Sequence, residues 1–530
     1  MTSTARSSGR LWPAALSGIV AVGAGLAVGE VAAVMVDLNA SPYFAVGSAV
    51  VDHTPTAVRE WAINTFGTSD KLALFIGMGW IIAAIAAGCG LAERHRPPAG
   101  AVIVGLFGVV GAIAALDRPG SRWTYAIPSI LAGLVAILVL RILVGMLRPA
   151  ETAPTASDGA DGSGAEDDAG QPASRAVGRR FVLTAGGIAA LAAVVGVMSR
   201  RVLADAAHTV ADRTRVLLPT PRSAAPPIPA GAELQVPDAT PFVTSNNDFY
   251  RIDTALQVPS LTTQEWSLRI HGMVDDEIRI GWDELLAMPM TERLVTLTCV
   301  SNEIGGDLIG NARWLGVPMK TLLDRAGVRP GADMLLSTSA DGWTCGTPVS
   351  AVTDGRDALL VVGMNGEPLP VEHGYPVRQV VPGLYGYVSA TKWVTDWELT
   401  TFSDVQAYWT TRGWSALGPI KLASRIDRPA SGADVERGEV IVAGTAWAQH
   451  TGVGAVEVRI DDGVWERAEL ATEYSLDTWR QWRFTWVATP GDHTVYCRAI
   501  DRRGRAQVET YASPIPDGAT GLDSRTYQVS

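Results

Sequence analysis

Five stretches of the chain are apolar almost without interruption, at roughly 11–36, 72–91, 99–116, 125–147 and 181–198. Each is long enough to cross a bilayer as a helix. All are rich in Gly and Ala, which lets helix backbones approach closely in lipid. Recurrence five times argues against unusually apolar helices of a soluble core. Between the first two runs, a Ser-Pro turn, a His-Thr-Pro and an amphipathic piece near 58–66 predict an ordered external loop with a surface helix. Glu30, late in the first run, is either a functional acid in a membrane helix or a carboxylate reaching the interface.

The pattern then changes. Residues 149–174 are a tract of Ala, Gly, Ser, Pro, Asp and Glu that cannot bury a core, so a disordered linker is expected. A Pro-rich spacer closes the fifth run at 204–229. From Thr240 to about Phe402 short β runs (266–270, 293–298, 359–362) mix with short helices (282–288, 319–326). From about Ile420 the alternation has period two. Val456–Ile460 alternates, Asp461-Asp462-Gly463 makes a hairpin turn, and 482–486 and 493–500 alternate again. About a hundred residues of this kind predict an immunoglobulin-like sandwich.

Composition and charge add three points. The 530 residues are 47% apolar and 18% charged, with the apolar excess in the first two hundred. The net charge of -11 gives no footprint for a nucleic-acid partner. Arg179-Arg180-Phe181-Val182-Leu183 before the fifth apolar run resembles a twin-arginine export signal placed inside the chain. With five crossings, that signal puts the soluble part outside the cytoplasm, and the slight Lys/Arg bias of the loops agrees.

The candidate chemistry centres on Cys299. The four cysteines, Cys89, Cys299, Cys345 and Cys497, are far apart, without CxxC spacing or a disulfide framework. Cys299 follows a β-rich run and opens a Gly-rich loop that leads into Ala312-Arg313-Trp314. A lone thiolate there can be a nucleophile, a ligand to a soft metal, or simply a buried, inert side chain.

Four clusters decide among these: Ser245-Asn-Asn-Asp-Phe-Tyr250-Arg251, the Cys299 loop, Asn365-Gly-Glu-Pro-Leu-Pro370 with His373-Gly-Tyr-Pro-Val-Arg378, and Val381-Pro-Gly-Leu-Tyr-Gly386-Tyr-Val-Ser389-Ala-Thr-Lys392. Together they resemble the sulfite oxidase superfamily of molybdopterin enzymes, from Thr240 to the C-terminus. The resemblance implies Cys299 as the molybdenum ligand. Asn247, Tyr250, Arg251, His373, Arg378, Ser389 and Lys392 would hold the cofactor or line its pocket, with Arg251 also meeting an oxyanion. The usual Cys-Ala-Gly-Asn-Arg is replaced by Cys299-Val-Ser-Asn-Glu303. Where sulfite oxidases place a catalytic tyrosine stands Asp341-Gly-Trp-Thr-Cys345, so Cys345 or Thr344 is the candidate there. Both departures move the expected substrate from sulfite toward an S-oxide or N-oxide.

The expectation is an α-helical transmembrane bundle, then an α+β sulfite-oxidase-like molybdopterin domain and an all-β immunoglobulin-like sandwich. The boundaries are 1–148 for four helices, 149–178 for the linker, 179–200 for the fifth helix, 201–239 for the spacer, 240–417 for the catalytic domain and 418–530 for the sandwich. The expected activity is oxygen-atom transfer on a small oxyanion or S/N-oxide. Alternatives are a methionine-sulfoxide-type reductase, or a non-catalytic membrane receptor with a vestigial pterin pocket. None of the seven histidines falls inside an apolar run, so haem within the bundle is not expected. Electrons would pass to or from quinone or a separate electron-transfer protein. Membrane lipid, a small-molecule substrate and a homodimer through the C-terminal domain complete the expected partners.

Overall fold

The computed structural model describes residues 11–55, 70–118, 121–147, 208–255 and 257–530, with single positions at 58, 65, 184, 186 and 187. The acidic linker, Arg179 and Arg180, most of the fifth apolar run and most of the amphipathic piece at 58–66 lie outside the described residues. The chain divides into two units, Met1–Ala206 and Ala207–Ser530.

The first unit holds α1 (Leu11–Val36), α2 (Pro42–His53), α3 (Asp70–His95), α4 (Ala99–Leu116) and α5 (Ala126–Met146). Among the described residues α1, α3, α4 and α5 are long and apolar enough to cross a membrane. Small residues set their spacing: a Cβ added at Gly25 of α1 would lie 2.8 Å from Ala136 Cβ of α5. Helix α2 is not the expected loop. Ser41 is its N-cap, accepting from Phe44 N at 3.3 Å, and Pro42 takes the first turn. Ser41 Oγ also donates to Glu30 Oε1 at 2.6 Å, which gives that carboxylate a partner inside the bundle.

In the second unit the mixed part runs β1 (Ser267–Gly272), β2 (Ile278–Gly281), α6 (Trp282–Leu286), β3 (Thr291–Thr298), β4 (Ile309–Pro318), α7 (Met319–Ala326), β5 (Met334–Ser339), β6 (Thr344–Pro348), α8 (Val349–Thr353), β7 (Leu359–Met364), β8 (Glu367–Pro368), β9 (Arg378–Val380) and β10 (Val394–Thr400). One sheet has the order β2-β1-β10-β5-β6. The other is β3-β4-β7-β8, with β9 also pairing β7. The second sheet is buried on both faces, which is why β7 reads as a continuous apolar run. Its Leu360 and Val362 join the main core with Leu315 and Val317, while Leu359 and Val361 join Ala312, Trp314 and Phe249 on the other side.

The all-β part runs β11 (Ala423–Arg428), β12 (Asp434–Val435), β13 (Gly438–Trp447), β14 (Val453–Ile460), β15 (Glu466–Arg467), β16 (Glu469–Leu470), β17 (Arg480–Ala488), β18 (Gly491–Asp501) and β19 (Asp523–Val529). Two sheets, β11-β13-β17-β16 and β12-β19-β18-β14-β15, close on a core that includes Val442, Trp482, Trp486, Val495 and Tyr527. This is a β-sandwich.

The described part of the expected spacer, 208–239, is instead a strap along the second unit. Arg213 donates to Leu369 O at 2.8 Å, Arg222 N–H to Met290 O at 2.8 Å, and Leu234 N–H to Gln481 Oε1 at 2.6 Å. Proline removes donors from this stretch, but the residues between the prolines keep theirs and use them.

Candidate active site

Cys299 stands one residue past β3, whose Thr298 pairs with Ile309 at the start of β4. Its N–H donates to Leu308 O at 2.9 Å and closes the loop 299–308. Asn302 fills that loop, donating its N–H to Cys299 O at 3.1 Å and accepting from Leu308 N at 2.8 Å. The sandwich braces it from below. Arg425 Nη1 donates to Gly306 O at 2.7 Å, and Gln449 Nε2 to Thr298 Oγ1 at 3.2 Å.

Cys299 is 8% exposed and lines a cavity with about 940 Å³ of empty space, counting its open mouth. Tyr250, His373, Arg378 and Lys392 line it too. The sequence carries His373 and Arg378 in one short segment, and Gly374 makes the bend between them. At φ 110° it occupies backbone space closed to L side chains, and a Cβ there would lie 3.0 Å from Arg378 Cβ. Asn365, from the same cluster, does not reach the cavity. It accepts from Arg313 N at 2.9 Å and donates to Thr244 O at 2.9 Å and Asn246 Oδ1 at 2.8 Å, tying β4 to the Ser245–Arg251 stretch.

The electrostatics of the wall are distinctive. Arg378 is 5% exposed, donates to His373 O at 3.0 Å and lies 5.0 Å from the Trp314 ring centre. No carboxylate pairs with it among the described residues, and burial pushes its pKa down to about 10. Lys392 Nζ donates to Asp253 Oδ2 at 2.9 Å and to Glu372 O at 3.1 Å. Burial pushes its pKa down to about 8 against the pull of Asp253. His373 Nε2 faces Asn246 O at 3.0 Å. A carbonyl can only accept, so Nε2 carries the hydrogen and Nδ1 is bare. Burial, with Arg378 close by, drops its pKa to about 4, so the ring is neutral at ordinary pH. Burial raises the Tyr250 phenol and the Cys299 thiol, the latter opposed by hydrogen bonds from Ser301.

Four expected residues stand off the wall. Asn247 is exposed. Arg251 turns to Asp253, Nε to Oδ2 3.0 Å, and is 45% exposed. Ser389 is fully buried, its hydroxyl bonded to Tyr385 O at 2.9 Å. Cys345, expected at the reacting centre, takes the inner face of β6 opposite Ser337 and is 0% exposed, with its sulfur 3.8 Å from Thr347 Oγ1. Thr344, the other candidate, accepts from Tyr408 N at 2.9 Å. The structure adds Ser339, Asp341, Trp343, Tyr387, Trp409 and Trp414 to the wall. Asp341 and Trp343 lie in the Asp341–Cys345 stretch singled out by sequence, Ser339 lies just before it, and Tyr387 lies in the Val381–Lys392 cluster; Trp409 and Trp414 fall in no such stretch.

The donor set suits an anionic, sulfur-seeking group. A buried guanidinium without a carboxylate calls for an anion. Ser339 Oγ and Trp343 Nε1 are buried without hydrogen-bond partners in the same wall. Among the described residues no three His, Cys, Asp or Glu side chains gather as a metal site, so a metal at Cys299 must bring its other ligands.

Residues 255–409 match the family described as oxidoreductase molybdopterin binding domain. The uncharacterized oxidoreductase YuiH of Bacillus subtilis (strain 168) is 30% identical over 154 residues, covering 29% of this chain and 74% of that protein. The chain belongs to the sulfite oxidase superfamily of molybdopterin oxidoreductases. Mitochondrial sulfite oxidase of Rattus norvegicus is 28% identical over 326 residues, 51% of this chain and 58% of that protein. The chain thus spans 58% of the length of the mitochondrial sulfite oxidases it matches. The sulfane dehydrogenase SoxCD from Paracoccus pantotrophus is similar in structure at TM-score 0.48 and 21% identity, over 55% of this chain and 84% of that one. Membership in this superfamily implies a molybdopterin cofactor.

Proposed function

We propose that the chain is a membrane-anchored, molybdopterin-dependent oxidoreductase that transfers an oxygen atom to or from a small oxyanion or an S- or N-oxide. The observation that carries this reading is the pairing, in one cavity, of a solitary thiol at a strand end with a buried Arg378 that has no carboxylate beside it. Cys299 supplies a soft ligand to the metal. Arg378 and Lys392 meet the pterin's phosphate, and His373 and Tyr250 orient its polar rings. Arg251 and Ser389 act from behind the wall: Arg251 through Asp253, Ser389 by holding the backbone at 384–385. The bound cofactor supplies a metal that exchanges an oxygen atom and two electrons with substrate.

Four apolar helices support the membrane anchor, and Arg179-Arg180 supports export of the folded second unit, which places it outside the cytoplasm. Electrons then pass to or from quinone or a separate electron carrier. The period-two strands and two closed sheets support an immunoglobulin-like reading of the sandwich, a surface for a homodimer.

Molybdenum analysis of the purified full chain tests the activity. About one metal per chain is expected, and Cys299→Ser should keep the thermal transition while losing turnover. Full turnover by the serine variant sinks the ligand assignment, and a metal-free parent favours the vestigial receptor. For location, Arg179→Lys with Arg180→Lys keeps the charge but not the export signal. External protease should then no longer reach the second unit; unchanged access refutes the signal.

A further inference from the structure

We propose that the outer cavity is a subsite for an uncharged organic substituent, so that the substrate is an organic S-oxide or N-oxide and not an inorganic oxyanion. The inference rests on the molybdopterin reading and narrows its substrate.

Charge is the first observation. The wall holds two cations, Arg378 and Lys392, and two carboxylates, Asp253 and Asp341. Lys392 is paired with Asp253 at 2.9 Å. Arg378 has no carboxylate beside it among the described residues, and the pterin's phosphate takes up both Arg378 and Lys392. Arg251, the guanidinium that could meet a second anion, stands outside the wall with its Nε on Asp253. Glu303 adds no positive charge to the Cys299 loop and is exposed, off the wall. An inorganic oxyanion would therefore enter a loaded site without a cation of its own, and an unpaired anion is costly to desolvate.

The second observation is the surface beside Cys299. Trp409 and Trp414 have ring centres 6.2 Å apart, and Trp414 lies 5.9 Å from Tyr387. Trp343 joins them from the β5–β6 turn. The wall is built in advance. Tyr408 N–H donates to Thr344 Oγ1 at 2.9 Å, fixing the segment of Trp409 to the turn of Trp343, and Tyr387 OH donates to Ser415 O at 2.8 Å beside Trp414. A preformed aromatic wall takes apolar or aromatic groups. The Trp343 indole N–H, buried without an acceptor, offers a donor to an uncharged oxygen.

Calorimetric titration of the molybdenum-loaded full chain in detergent, with methyl phenyl sulfoxide, dimethyl sulfoxide and sulfite as probes, tests this. The aryl sulfoxide should bind roughly tenfold tighter than dimethyl sulfoxide, as expected for one more filled apolar wall, and sulfite should give no saturable heat. Trp409→Ala should erase the preference for the aryl sulfoxide over dimethyl sulfoxide; persistence of the preference overturns the wall's role. The ranking on the parent chain needs no variant to fold. A loaded chain that prefers sulfite, or ranks the three equally, overturns the substrate class alone. A chain that holds no molybdenum overturns the reading beneath it.

Discussion

Lys392 and Asp253 form a buried ion pair, with Nζ 2.9 Å from Oδ2 and side chains 11% and 4% exposed. Desolvation still wins, since the lysine pKa falls from 10.5 to about 8. Two opposite pH effects follow for cofactor-free protein. Between about pH 8 and 10.5 the unfolded chain keeps a proton that the folded chain has lost, so stability rises with pH across that window. The charge that holds an anion is lost over the same range, so affinity for pyrophosphate falls. Thermal midpoints and pyrophosphate titrations at several pH values check both. Lys392→Arg, charged throughout, should flatten the affinity profile. A rise in affinity above pH 8 would refute the assignment.

Arg378→Met should separate stability from function. The guanidinium is buried without a carboxylate, and its solvation is replaced only in part by His373 O and the Trp314 ring. An apolar side chain of similar length should hold or raise the stability of the cofactor-free chain, by about 1 kcal/mol, because a desolvated charge is removed. Cofactor content should fall. Equal cofactor content in the variant and the parent would show that Arg378 serves the fold.

Arg425→Met should loosen the Cys299 loop from a distance. Arg425 binds Gly306 O at 2.7 Å, Thr240 Oγ1 at 3.2 Å and Asp427 at 2.7 Å. Its loss leaves Asp427 without that partner, at about 3 kcal/mol or more. Alkylation of Cys299 in cofactor-free protein, slow at 8% exposure, should speed up while the other buried thiols stay protected. An unchanged rate would show that the sandwich does not brace the loop.

What the sequence made legible follows from range. Helix α7 is bounded by Pro318 and by Gly327, whose φ of 69° caps it, so its limits show in the string of residues. Cys299 stood out because a lone thiol between a β run and a Gly-rich loop is a local pattern. Helix α2 was hidden because Ser41-Pro42 writes both a turn and an N-cap. The strap was hidden because Pro-rich composition looks the same whether or not its remaining N–H groups find acceptors. Arg251 and Cys345 were placed by resemblance; for Cys345, on β6, period-two alternation cannot say which face is the cavity's when the strand is buried, and Arg251, outside any strand, has no alternation to read. The aromatic wall is assembled across long separations: Trp343 and Tyr387 lie in stretches that the sequence singled out, but no local pattern joins them to Trp409 and Trp414.

The brace under Cys299 also sets a timetable for synthesis. Arg525, which reaches Gly305 O at 3.5 Å, lies 220 residues later in the chain. At ordinary elongation rates those residues take roughly 10 to 40 s to make. For that interval the nascent loop is without this contact. The loop that carries Cys299 is thus made long before Arg425, Gln449 and Arg525, the side chains that hold it, exist.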